Sequence, residues 1–187
     1  MTHSTKENII KAALELFSQH SYYKVSLKDV ADKANISKGA LFHYFPTKLD
    51  LAEAVMKKIL EEIEKSVRDV FSIPIDDHEK LKRLIDLAIE KVELGKNNMR
   101  SLDFISEICR ELFENGRYSF IEEYYKKLKD LLASLFRKAR VVNSEVRAVL
   151  FMITLNGLIH YSFFYPKPIE EHLLNDLKKE IVEVMFS

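Results

Sequence analysis

The sequence predicts an all-α protein of about nine helices, with a small three-helix head followed by a larger helical-bundle body. Three observations carry that expectation. Apolar residues recur at three- and four-residue spacing along most of the chain. Gly and Pro number only four each in 187 residues, too few turn formers for the many hairpins of an all-β fold. Ser, Thr and Asp stand ahead of the apolar runs at the spacing of helix caps.

Ser4 with Glu7 reads as a capping box, and Ile9, Ile10, Ala13, Leu14 and Phe17 hold one apolar face, which predicts a first helix over about 5–19. Ser26 with Asp29 starts a second helix, whose short inward face is Leu27, Val30, Ala31 and Ala34, and Asn35 is suited to a left-handed stop. Ser37 caps a third, very short helix from Lys38 to Tyr44. Pro46 closes it, and Thr47 with Asp50 opens a fourth. From Leu49 to Phe71 the apolar positions keep a helical period for over twenty residues, a long connecting helix ended by Ile73, Pro74 and the acidic 76–78 stretch. Further helices are predicted at about 78–94, 98–114, 118–139, 144–164 and 169–186. The expected domains are a head, 1–47, and a body, 48–187.

Composition narrows the function classes. The single cysteine, Cys109, forms no intrachain disulfide and reads as a small core residue, which fits a reducing cytoplasm. The first residues lead directly into an amphipathic helix, without the apolar core of a secretion signal. The run from Val149 to Phe164 falls short of the roughly 20 residues of a membrane span and contains Asn156, Gly157 and His160, so no membrane partner is expected. An enzyme is the competing class. No Glu-x-x-His, His-Glu-x-x-His, paired cysteine or glycine-rich phosphate loop is present, and neither a catalytic set, a metal nor a cofactor is predicted.

The formal net charge is zero, yet it is unevenly divided: residues 1–48 carry seven lysines against four acids, a balance of +3, and the rest carries −3. The head is therefore the anion-binding end. Its second and third helices are joined by only about three residues, the geometry of a helix-turn-helix whose second member enters the major groove. Lys6, Lys28, Lys38 and Lys48 all fall in predicted first turns, where a cation opposes the helix dipole by roughly 0.3–1 kcal/mol. Docked phosphates reverse that sign. The body helices place acids there instead, among them Asp76, Asp77, Glu79, Glu145, Glu170 and Glu171.

The stretches AALELF (12–17) and VSLKDVADKANISKGALFHYFPTKLDL (25–51) closely resemble the signature of TetR-family regulators. The resemblance covers about the first quarter of the chain. It implies that Ala12, Ala13, Leu16 and Phe17 pack the first helix, that Ser26 caps the second, and that Ser37 to Leu41 begin the recognition helix. It also implies base or phosphate contacts for Lys38, Gly39, Ala40 and His43, with Tyr44 and Lys48 as phosphate clamps; Lys28 joins this DNA-binding set. Double-stranded DNA is thus the expected partner. Three positions depart from the family pattern. Phe42 stands where tyrosine is usual, and Ser21 and Asn35 stand where glycine is usual. Ser tolerates the left-handed region poorly, which leaves the first turn in question.

A body nearly three times the head's length suggests a sensor. Its expected lining is Phe104, Ile108, Tyr124, Tyr125 and Met152, with Asn156 and His160, four apart on one helix, as polar anchors; satisfaction of these polar groups within the chain is the equal alternative. The effector would then be a small apolar or amphipathic molecule, an acyl derivative being one candidate. The eighth and ninth helices offer more apolar surface than one chain readily covers, so a homodimer is expected, with Ile153, Gly157, Tyr161, Leu174, Leu177 and Ile181 at its interface. The functional expectation is a ligand-released repressor binding a palindromic operator. The alternative is a helical adaptor that binds protein through Tyr22, Tyr23 and Phe42 without DNA.

Overall fold

The computed structural model describes residues 2–96, 101–164 and 169–187. Among these the chain is helical throughout: α1 (Thr2–Gln19), a single 3-10 turn (Tyr22–Lys24), α2 (Leu27–Lys33), α3 (Lys38–Tyr44), α4 (Lys48–Ser72), α5 (Asp77–Lys96), α6 (Ser101–Glu114), α7 (Ser119–Lys138), α8 (Ser144–Phe164) and α9 (Glu171–Phe186). α1 begins at Thr2, so Ser4 lies inside the helix rather than capping it. The expected start of α6 at 98 lies outside the described residues.

Packing divides the chain into two units, Met1–Glu62 with Asn98–Glu122, and Ile63–Asn97 with Glu123–Ser187. These units do not follow a boundary at Lys48, because α6 and the first half of α4 pack with the head. The first core gathers Ile9, Phe17, Tyr22, Leu41, Phe45, Leu51 and Met56 with Phe104, Ile108 and Leu112 of α6. Burying an aliphatic or aromatic side chain of this size contributes about 1.5–3 kcal/mol. The second core joins Leu81, Leu84 and Ile85 of α5, Leu132 and Phe136 of α7, Ala148 and Phe151 of α8, and Ile181, Val182 and Met185 of α9. Lys178 of α9 pairs with Asp86 of α5 at 2.5 Å on its edge.

Three helices stop in the same way. After α2, α6 and α7 a residue enters the left-handed region (Asn35, φ 53°; Gly116, φ 68°; Arg140, φ 60°). The N–H that follows each donates to a carbonyl five residues back: Ile36 to Ala31, Arg117 to Leu112, Val141 to Phe136. Asn and Gly suit that conformation, whereas an arginine Cβ opposes it by about 1–2 kcal/mol. Arg140→Gly is therefore expected to stabilise the fold by about 0.5–1 kcal/mol once glycine's greater unfolded-state entropy is subtracted. A denaturant midpoint checks this; an unchanged or lower midpoint contradicts it.

Candidate nucleic-acid interface

Local chemistry builds the helix pair. The Ser26 hydroxyl accepts from the Asp29 N–H at 3.2 Å, and the Asp29 carboxylate accepts from the Ser26 N–H and hydroxyl at 2.7 Å, a closed capping box. Those hydrogen bonds hold the Asp29 carboxyl below its ordinary pKa. Asn35 takes the left-handed stop, Ser37 accepts from the Ala40 N–H at 3.1 Å, and a joint of four residues separates α2 from α3. α3 is anchored by one residue, Leu41, which is fully buried, with Phe45 at its C-cap also in the core. Lys33 of α2 pairs with Glu15 of α1 at 2.8 Å and holds the two helices together.

With Leu41 inward, α3 turns Lys38, Gly39, Phe42 and His43 outward, while Ala40 and Tyr44 are half-buried. Lys28 is exposed at the start of α2. The Lys38 ammonium lies 5.5 Å from the centroid of the Phe42 ring, and the His43 and Tyr44 rings meet edge to face at 5.6 Å. A Cβ at Gly39 would meet only the Ser37 hydroxyl oxygen, at 3.9 Å, so nothing inside the chain requires a glycine there. Lys48 is placed differently from an open clamp. It is half-buried, its ammonium sits 4.3 Å over the Tyr22 ring, and it donates to the Tyr23 carbonyl at 3.4 Å. Desolvation pulls its pKa down against the upward pull of Glu111, Glu107 and Asp29.

Ser21 resolves otherwise than expected. Its backbone is extended (φ −68°, ψ 143°) and it caps the 22–24 turn, so this position needs no left-handed conformation. Two further charged groups, silent in the local pattern, hold the head from α6 and the joint that follows it. Glu107 binds the Ser21 region, and Arg117 pairs with Asp50 at 2.9 Å and with Glu53 at 2.5 Å on α4. Glu107 is one of several charged residues of α6, and nothing in the local pattern points to its partner, 86 positions away.

The expected effector set is not brought together within either unit. Phe104 and Ile108 belong to the first core, Met152 is half-buried against the second, and Tyr125 is exposed. Asn156 and His160 are exposed, because they share the outer face of α8 with Ile153 and Gly157. Tyr124 alone lines the groove of about 300 Å³ that the second unit contains, with Glu64, Val67, Arg68, Lys127, Leu128 and Leu131. Burial pushes the Tyr124 phenol above its ordinary pKa.

The expected interface set also divides. Ile153, Gly157 and Tyr161 are exposed and Leu174 is half-buried, whereas Leu177 packs against the second core and Ile181 lies within it. The exposed apolar residues of α9 are instead Leu173 and Val184. Among the described residues no His, Cys, Asp and Glu side chains cluster as a metal site, and no helix is long and apolar enough to cross a membrane.

Residues 9–55 match the profile described as bacterial regulatory proteins, tetR family. The HTH-type transcriptional regulator RutR of Escherichia coli is 41% identical in strain K12 and 25% identical in O157:H7, each over 173 residues that cover 87% of this chain and 76% of RutR. The HTH-type transcriptional repressor KstR2 of Rhodococcus jostii (strain RHA1) is 19% identical over 126 residues, 67% of this chain but only 60% of KstR2. A transcriptional regulator of Pseudomonas aeruginosa PAO1 superposes with a TM-score of 0.81 at 16% identity, over 100% of this chain and 92% of that one, a likeness of fold. The family profile falls on the helix-turn-helix itself, and the RutR match runs through the body: the chain belongs to the TetR family of bacterial DNA-binding transcriptional regulators.

Proposed function

We propose that the protein is a repressor that binds a near-palindromic operator as a homodimer and is released by a small apolar or amphipathic effector. The observation that carries the DNA half of this reading is the outward face of α3, where Lys38, Gly39 and His43 stand exposed over an anchored Leu41. Residues at the start of such a helix meet base edges in the major groove, and a position without a side chain allows the backbone to come close. Lys28 supplies a phosphate contact, and Lys48, whose bond to the Tyr23 carbonyl is long at 3.4 Å and exposed, supplies another.

Gly39→Leu separates this reading from a packing role. Nothing within the chain crowds the position, and leucine is the better helix former by about 0.8–1 kcal/mol, so the variant is expected to be at least as stable as the parent. It should lose operator binding by roughly tenfold or more, the scale of one lost base contact. Lys38→Ala and His43→Ala should shift sequence preference instead. Selection from a random duplex pool and fluorescence anisotropy read both effects, and a Gly39→Leu protein that binds like the parent contradicts the reading.

The homodimer rests on α8. Val146, Val149, Leu150, Ile153, Gly157 and Tyr161 recur at three- and four-residue spacing and are all exposed. An exposed apolar stripe of this kind, interrupted only by the polar Asn156 and His160, is what a second copy would bury. Arg147 ties this helix to α9 by donating to the Val184 carbonyl at 2.6 Å, which sets the exposed Val184 beside the start of the stripe. For the effector, the supporting feature is the groove between α4 and α7, with an apolar floor of Val67, Tyr124, Leu128 and Leu131. Its rim cations are already paired, Arg68 with Glu64 and Lys127 with Glu123 at 2.8 Å, which favours a largely apolar ligand. Such a ligand releases DNA only if it prefers one of two head arrangements. Titrating a metabolite and lipid panel into the operator complex tests this, and Leu128→Asp should abolish the response.

A further inference from the structure

The 22–24 turn, which joins α1 to α2, is held from outside the helix-turn-helix at both of its ends. At its start the Glu107 carboxylate of α6 accepts from the Tyr22 N–H at 2.6 Å and from the Ser21 hydroxyl at 2.8 Å and 3.0 Å. The same hydroxyl oxygen accepts from the Tyr23 N–H at 3.2 Å, so one carboxylate and one hydroxyl satisfy the donors that open the turn. At its end the Lys48 ammonium donates to the Tyr23 carbonyl, 3.4 Å away, and covers the Tyr22 ring. An anion at the start and a cation at the end match the dipole of the turn. Tyr22 itself is buried, with its ring edge-on to Phe17 of α1 at 5.4 Å.

We propose that Glu107 is a positioning residue for DNA recognition: through Ser21 and the Tyr22 N–H it fixes the turn that sets α1 against α2, and with them the presentation of α3. The assignment rests on the reading that this head binds DNA. The residue that makes the bond, Ser21, is one of the two that stand where the family resemblance expects glycine, and a glycine there would offer Glu107 no hydroxyl. The hydrogen bonds of Glu107 go to Ser21 and Tyr22, so its effect on DNA passes through the turn.

The test uses the full-length protein and a duplex enriched from a random pool by the parent. Glu107→Ala and Ser21→Ala are each expected to weaken binding about tenfold, the scale of a lost hydrogen bond to a charged group. The double variant should be weaker than either by clearly less than the product of the two single losses, because the Ser21–Glu107 bond is removed in both. Glu107→Gln can accept from the Tyr22 N–H and donate to the Ser21 oxygen, and should restore affinity to within about threefold of the parent. The slope of log affinity against log salt should not change, since no phosphate contact is lost. The Tyr22 amide proton should lose its downfield NMR shift in Glu107→Ala and regain most of it in Glu107→Gln. Full affinity in folded Ala variants, additive losses in the double variant, or a salt slope that falls by one overturns the assignment alone. A parent that enriches no duplex overturns the DNA reading and the assignment together.

Discussion

Gly157→Leu is expected to leave each chain folded and to split the dimer. A Cβ at Gly157 would meet nothing within 4 Å, and the position is exposed on α8, so a leucine there strains nothing in the single chain. It also raises helix propensity by about 0.8–1 kcal/mol. In a two-fold pair of α8 helices the same leucine enters the contact twice. Overpacking costs about 1–3 kcal/mol per insertion, so dimerisation should weaken by about 2–6 kcal/mol, or roughly 30-fold to more than 10⁴-fold. Light scattering should then report a mass near 21.9 kDa in place of twice that value, with unchanged helical circular dichroism. A variant that stays dimeric at low concentration removes α8 from the interface.

Leu41→Ala should have the opposite pattern, losing DNA binding while keeping the dimer. Leu41 is fully buried and is the residue by which α3, seven residues long, is held in the first core. A helix of that length has no stability of its own and exists by packing. Truncating a buried leucine costs about 2–5 kcal/mol. The loss falls on the first unit, whereas α8 and α9 belong to the second. Operator binding is expected to fall at least a hundredfold, hydrogen exchange to accelerate across α2 and α3, and the mass to stay dimeric. Unaltered binding would show that α3 is not held through Leu41.

What was legible in the sequence follows from how far each interaction reaches along the chain. The capping box of Ser26 and Asp29, the Asn35 stop and the Ser37 cap all close within a few residues, and α2 and α3 lie where those signals put them. The bonds of Glu107 to Ser21 and of Arg117 to Glu53 span 86 and 64 positions, and no local pattern marks them. Helical periodicity gives the apolar face of an element but not its neighbour. Phe104 and Ile108 were on the inward face of α6, as expected, yet that face packs into the core of the head. α9 carries apolar residues on more than one face, and that Ile181 lies inside and Leu173 outside is set by its packing into the second core, which periodicity does not give. Asn156 and His160 illustrate the reverse: a polar pair in an apolar helix marked the exposed face of α8, not the wall of a cavity.

The most direct test of the central claim is a salt titration of the parent protein on its best palindromic duplex, followed by anisotropy, with stoichiometry measured at low salt. Two protomers should bind each duplex. With Lys28 and Lys48 of both heads on phosphates, log affinity should fall against log salt with a slope of about −4. No duplex binding at low salt, with or without an effector panel, or binding that is indifferent to salt, would contradict the account.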